Sequence, residues 1–127
     1  MCGIVGYVGN KNCVPMMIEG LKRLEYRGYD SSGISFYNDN KLNTYKKIGK
    51  ISAMEKIVPQ DASGKIGIGH TRWATHGGVT DKNSHPHLSM DKKFAVVHNG
   101  IIENYRVIKE KLQSDGMEFS STTDTEV

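Results

Sequence analysis

A cysteine stands second in the chain, directly after the initiator methionine and directly before an apolar run. If Met1 is removed, Cys2 carries both a thiol and a free α-amine. A free α-amine has a reference pKa of about 7.7–8.0, so part of it is neutral at pH 7. Such an amine can serve as base for the nucleophile of its own residue, and a thiolate is a strong nucleophile. Position alone is a weak signal, because a second-position cysteine also arises by chance. A second cluster is Gly69-His70-Thr71-Arg72-Trp73-Ala74-Thr75-His76-Gly77-Gly78, where a strand runs into a glycine-closed loop. Arg72 offers a planar fork for a carboxylate, although an ordinary ion pair would use it too. Trp73, beside two glycines, suits a mobile lid or a place in the core. In His98-Asn99-Gly100-Ile101-Ile102-Glu103-Asn104-Tyr105, Asn99 offers an amide N–H and Gly100 an unhindered backbone N–H. Two such donors are the parts of an oxyanion hole, but Asn-Gly is also the commonest hairpin turn. Asp124 is a lone carboxylate for which helix capping is the plainer explanation. Tyr26–Gly33 is a dense polar turn that capping and turn chemistry largely explain.

Other chemistries fit poorly. The five histidines and two cysteines contain no C-x-x-C and no paired-His spacing, so no metal site is expected. Gly3-x-x-Gly6-x-x-Gly9 lacks the Lys-Ser/Thr of a P-loop and the order of a dinucleotide fingerprint, and no cofactor is expected. A nucleophile, a base, two oxyanion donors, a carboxylate clamp and a second acid match one reaction. That reaction is hydrolysis of a small amide whose substrate carries its own α-carboxylate and α-ammonium.

These residues need elements to position them. Gly3–Val8 reads as a buried strand. Val14, Met17, Ile18, Leu21 and Leu24 recur at helical spacing, with Pro15 near the start and Gly28 as the stop. Ile34–Tyr37 and Leu42–Lys46 flank the polar turn Asn38-Asp39-Asn40. Ile51, Met54, Ile57 and Val58 predict a short helix stopped by Pro59. Ile66–His70 and Phe94–His98 read as two buried strands, and Tyr105, Ile108 and Leu112 as a helix stopped by Gly116. His85-Pro86-His87 reads as a stiff loop. Thr123-x-x-Glu126 has the form of a capping box opening a further helix at Val127. Tight strand connections covered by helices predict an α+β fold of mixed or antiparallel sheets.

Composition sets the outer limits. The chain has 127 residues, 14.1 kDa, 37% apolar and 24% charged residues, which suits one globular domain. Size scaling gives a folded surface of roughly 6,700 Å². No apolar run is long enough for a membrane span and no secretory signal is visible. Two cysteines are too few for a disulfide scaffold, so the default compartment is the reducing cytoplasm. The net charge of +3 is spread over scattered lysines, without the clustering that nucleic acid requires.

Met1-Cys2-Gly3-Ile4-Val5-Gly6, Glu25–Gly33, Gly69–Gly77, His98–Tyr105 and Thr123–Val127 resemble the N-terminal glutaminase domain of the glutamine–fructose-6-phosphate aminotransferases. These are class-II glutamine amidotransferases with the N-terminal-nucleophile hydrolase fold. The resemblance implies the αββα sandwich of that fold, residues 1–127 forming about the first half of the domain. It implies L-glutamine as substrate, Cys2 as nucleophile, and Asn99 and Gly100 as the oxyanion hole. It implies that Arg72, Thr75 and His76 bind the α-carboxylate and Asp124 the α-ammonium. Trp73 would belong to a closing loop, and Arg27 and Gly28 would lie beside the nucleophile. Fructose 6-phosphate would be handled by sugar-isomerase domains that this chain lacks, within a homo-oligomeric full-length enzyme. Another class-II amidotransferase with a different acceptor, or a non-catalytic glutamine-binding module, remains open. A polypeptide of these residues alone is expected to be a poor catalyst, with Asp124 at a frayed end.

Overall fold

The computed structural model describes all 127 residues. Four strands form one antiparallel sheet in the order β1-β4-β2-β3: β1 is Gly3–Val8, β2 Ser31–Asn38, β3 Lys41–Ile48 and β4 Ile66–Arg72. Helices α1 (Cys13–Arg23) and α2 (Ile51–Ile57) cover one face. A two-stranded antiparallel ribbon, β5 (His87–Leu88) with β6 (Ala95–Val96), and α3 (Tyr105–Ser114) complete the chain.

Helix α1 starts where the Asn12 side chain accepts the Val14 N–H at 3.1 Å. Its apolar stripe, Val14, Met17, Ile18 and Leu21, is buried together with Ile34 and Phe36 of β2 and Ile51 and Met54 of α2. Gly67 and Gly69 of β4 let the helix come close. A Cβ at Gly67 would lie 2.6 Å from the Met17 methyl, and one at Gly69 3.3 Å from Leu21. The helix ends earlier than its spacing predicts, and a 3₁₀ turn over Glu25–Arg27 carries the chain to Gly28 at φ +80°. The β2–β3 hairpin is longer than predicted. Its turn residues Asp39 and Asn40 have φ of 52° and 59°, the handedness that matches strand twist.

Side chains alternate across β4, so glycines facing α1 turn Ile68, His70 and Arg72 to the opposite face. The 84–87 segment lies against this second face. Lys46 of β3 holds it there, its Nζ donating to the carbonyls of Lys82, Ser84 and Pro86 at 3.2, 2.8 and 3.2 Å. Burial pulls the Lys46 ammonium down to about 8. Gly33 sits under the same segment, and a Cβ there would overlap the His85 carbonyl and the Lys46 stem. We expect Gly33→Ala to destabilise the protein by about 1–3 kcal/mol, the usual scale of overpacking. A urea-unfolding midpoint within error of wild type would show that the segment yields freely.

Four expectations need correction. The strand expected over Phe94–His98 shrinks to Ala95–Val96, with Phe94 72% exposed. The His98 N–H turns away from the ladder toward His85 Nδ1 at 3.4 Å. His87, expected in a stiff loop, forms with Leu88 the strand that pairs with Ala95–Val96. Asn99-Gly100 makes no hairpin, because no strand follows it. The capping box at Thr123 does not form either. Glu126 instead accepts from the Ser120 and Ser121 N–H groups at 2.7 and 2.6 Å, and Thr123 Oγ1 pairs with His87 Nε2 at 2.8 Å.

The exposed surface is 7716 Å², more than the roughly 6,700 Å² of a compact chain of this size. Helix α3 buries none of its residues, and Ile4, Val8 and Ile66 expose an apolar row on the second face of the sheet. No helix is long and apolar enough to cross a membrane.

Candidate active site

Cys2 precedes β1, whose neighbour β4 runs on into the loop that begins at Trp73. That pairing brings the Trp73 N–H to the Cys2 sulfur at 3.2 Å. The Cys2 sulfur also lies 3.6 Å from the Trp73 carbonyl. The terminal ammonium, here that of Met1, donates to the Gly28 carbonyl at 2.7 Å and lies 3.4 Å from that of Arg27. Cys13, the other thiol, is fully buried in the core, and burial pushes its pKa up.

Cys2, Arg72, Thr75, His76, Asn99 and Gly100 line one small cleft, and Asp124 closes it. Arg72 is 3% exposed; its guanidinium donates to the carbonyls of His76 and, at 3.1 Å, of Gly78. It therefore shapes the 73–78 loop and holds a buried positive charge beneath it. The His76 ring packs edge-on against Tyr105 at the start of α3, 4.8 Å between centroids. The Gly100 N–H makes no hydrogen bond within the chain. Asp124 accepts the Ile102 N–H at 2.6 Å and is 5% exposed. The Trp73 ring is 53% exposed and contributes its backbone rather than its side chain. Arg27 and Gly28 stand outside the cleft, beside the terminal amine.

The sequence reading missed several residues of this site. His70, His85, His98, Thr123 and Thr125 line the same cleft. Asp30 lies behind it: its carboxylate accepts the Ala74 N–H at 2.6 Å, and its own N–H donates to the Arg72 carbonyl at 2.7 Å. Asp30 thereby fixes the backbone that carries the Trp73 N–H. The alternation of glycine with Ile68, His70 and Arg72 along β4 was the available signal for His70.

The cleft is contracted to about 40 Å³. That admits a few waters and falls far below the roughly 300 Å³ of the smaller ligand pockets. An amino-acid ligand therefore requires the cleft to widen. Larger open hollows, one of about 460 Å³ beside the β2–β3 turn and one of about 680 Å³ along α1, contain neither a thiol nor a buried charge beside an open amide.

Comparison with known proteins agrees with this arrangement. Residues 56–127 match the glutamine amidotransferase domain family. The whole chain is 60% identical to part of the glutamine–fructose-6-phosphate aminotransferase (isomerizing) of Bacteroides thetaiotaomicron, covering 21% of that protein. It is 56% identical to the Aquifex aeolicus protein of the same name, covering 22%. The chain thus spans about a fifth of the length of these relatives. Among solved structures, 99% of the chain superposes on 28% of the glutamine phosphoribosylpyrophosphate amidotransferase of B. subtilis, with TM-score 0.81 and 28% identity. An allosteric regulatory enzyme of purine biosynthesis matches over the same shares, with TM-score 0.80 and 30% identity. The expected α+β fold, that of the N-terminal-nucleophile amidotransferases, is borne out. With the family match over more than half its length, the chain belongs to the glutamine amidotransferases.

Proposed function

We propose that this chain carries the glutaminase half-reaction, releasing ammonia from L-glutamine through a thioester on Cys2. The observation that supports it most is the convergence of the Cys2 sulfur, the Trp73 N–H, the Asn99 amide and the buried Arg72 and Asp124 at one cleft. With Met1 removed, the Cys2 amine takes the thiol proton and the thiolate adds to the γ-carboxamide carbon. The oxyanion faces Asn99 Nδ2 and the Gly100 N–H, donors that act most where charge develops. The amine returns the proton to the leaving nitrogen, and water then opens the thioester to glutamate. Arg72, with Thr75 and His76, faces the α-carboxylate, and Asp124 the α-ammonium. Trp73 stands on the closing loop. Arg27 and Gly28 hold the terminal amine through their carbonyls.

Residues 1–127 are read as the N-terminal part of the amidotransferase domain, with sugar-phosphate chemistry outside them. Fructose 6-phosphate is the proposed acceptor in the whole protein, because identity is 53–60% to aminotransferases of that name and 28–30% to the purine-pathway structures. An electrophilic glutamine analogue should label Cys2 alone in the native-length protein, read by peptide mass mapping. A label on Cys13 would refute the assignment.

A further inference from the structure

We propose that His70 is a positioning residue: its Nε2–H donates to the Asn99 side-chain oxygen and holds the Asn99 amide N–H toward the oxygen of the carbonyl group that Cys2 attacks. The inference rests on the glutaminase reading. His70 is fully buried in β4, whereas Asn99 is exposed and lies in no regular element. The two meet at 2.7 Å through His70 Nε2 and Asn99 Oδ1.

The geometry fixes the proton. An amide oxygen only accepts, so Nε2 must carry the hydrogen and Nδ1 is bare. His70 Nδ1 is indeed buried without a partner. The reversed amide would set its oxygen against the Cys2 carbonyl, where Nδ2 now donates at 3.4 Å. Two acceptors would then face each other. That 3.4 Å bond is long, so His70 is the firm hold on the Asn99 side chain.

The His70 ring is itself immobilised. It stacks on His85 with centroids 4.3 Å apart and planes 21° apart, and His85 meets His87 edge-on at 4.6 Å. His87 is tied to Thr123 at 2.8 Å, one residue before Asp124. No three such side chains converge as metal ligands. Burial lowers the His70 pKa to about 4, so the ring stays neutral across the working range. A buried neutral imidazole thus aims an exposed amide, and the stack carries on to the segment holding Asp124.

The test uses the native-length protein and measures kcat and KM for glutamine hydrolysis. His70→Met should lower kcat about ten- to a hundredfold with KM within about threefold, below the roughly 10²–10³ loss of a whole oxyanion donor. His70→Gln keeps an N–H donor and should recover most of kcat. In an Asn99→Ala background, His70→Met should cost less than about threefold more, because its effect passes through Asn99. Affinity for L-glutamate γ-semialdehyde, which adds the Cys2 thiol to give a tetrahedral oxyanion, should fall with kcat. Affinity for L-glutamate should not. Additive losses in the two backgrounds, or a raised KM at unchanged kcat, would overturn the positioning role alone. A wild-type protein without glutaminase activity would overturn the glutaminase reading and this inference with it. Should His70→Met not fold, His70→Gln decides: kcat within about tenfold of wild type supports the role, and a loss equal to that of Asn99→Ala ends it.

Discussion

A protein that keeps Met1, or carries any uncleaved extension before Cys2, should release glutamate at least a hundredfold more slowly than the processed protein. With Met1 in place the Cys2 nitrogen is a peptide amide, which cannot take the thiol proton. The ammonium one residue upstream occupies the carbonyl acceptor at Gly28, at 2.7 Å. Removing Met1 moves the free amine onto Cys2, in the same residue as the sulfur. Its pKa, about 7.7–8.0 in a free chain, suits a base that must exchange protons near neutrality. General base catalysis is worth about 10²–10⁴, and this amine is the base in the proposed mechanism. The sulfur keeps its Trp73 N–H in either form, so residual attack by the spontaneous thiolate sets the floor. The measurement is glutaminase turnover of two preparations whose N-termini are verified by intact mass. Equal turnover would mean that the proton goes elsewhere, and the neighbouring histidines would then become the candidates.

Much of this architecture is legible in the residues themselves. Glycine alternation in β4 and the apolar stripe of α1 each carry one unambiguous period, and Asn38–Asn40 carries a turn signal by residue type. Legibility stops where tertiary bonds outbid local preference. The Asn99-Gly100 pair has the chemistry of a hairpin turn, but His70 takes the Asn99 side chain. Thr123 and Glu126 have the spacing of a capping box, yet His87 takes one and the Ser120–Ser121 turn takes the other. β5 is two residues long, too short for any period to register. The same holds for the site. Cys2, Arg72, Thr75, His76, Asn99, Gly100 and Asp124 stand out by residue type and neighbours, and the structure sets them around one cleft. Asp30 and the histidines behind them do not stand out, because their work is to hold backbone and side chains contributed by distant segments.

Those histidines also set the acid limit of the fold. His70, His85 and His87 are 0, 5 and 2% exposed. Burial lowers their pKa values to about 4, about 2 and about 4, and the neighbouring cations Arg72 and Lys46 push the same way. In the unfolded chain each would titrate near 6.5. Between these values the unfolded state binds more protons than the native state, so stability rises with pH there and is lost as pH falls below about 6.5. At pH 5 the linkage relation gives about 2 kcal/mol per imidazole, or about 6 kcal/mol for the three. That is comparable with the whole stability of many domains, about 5–15 kcal/mol. Burial raises the Glu126 pKa, but hydrogen bonds from Ser120 and Ser121 together outweigh it and leave the carboxyl below 4.5, so it adds its own loss only below that value. The window from pH 6.5 to about 4.5 therefore reports the histidines. Urea-unfolding midpoints should change little between about pH 8 and 7 and then fall steeply below about 6.5, with the C2–H resonances of His70, His85 and His87 keeping their neutral shifts until the native signals disappear. If the three imidazoles titrate within the native state near pH 6, with no loss of stability, the buried neutral stack behind Asn99 does not exist in solution.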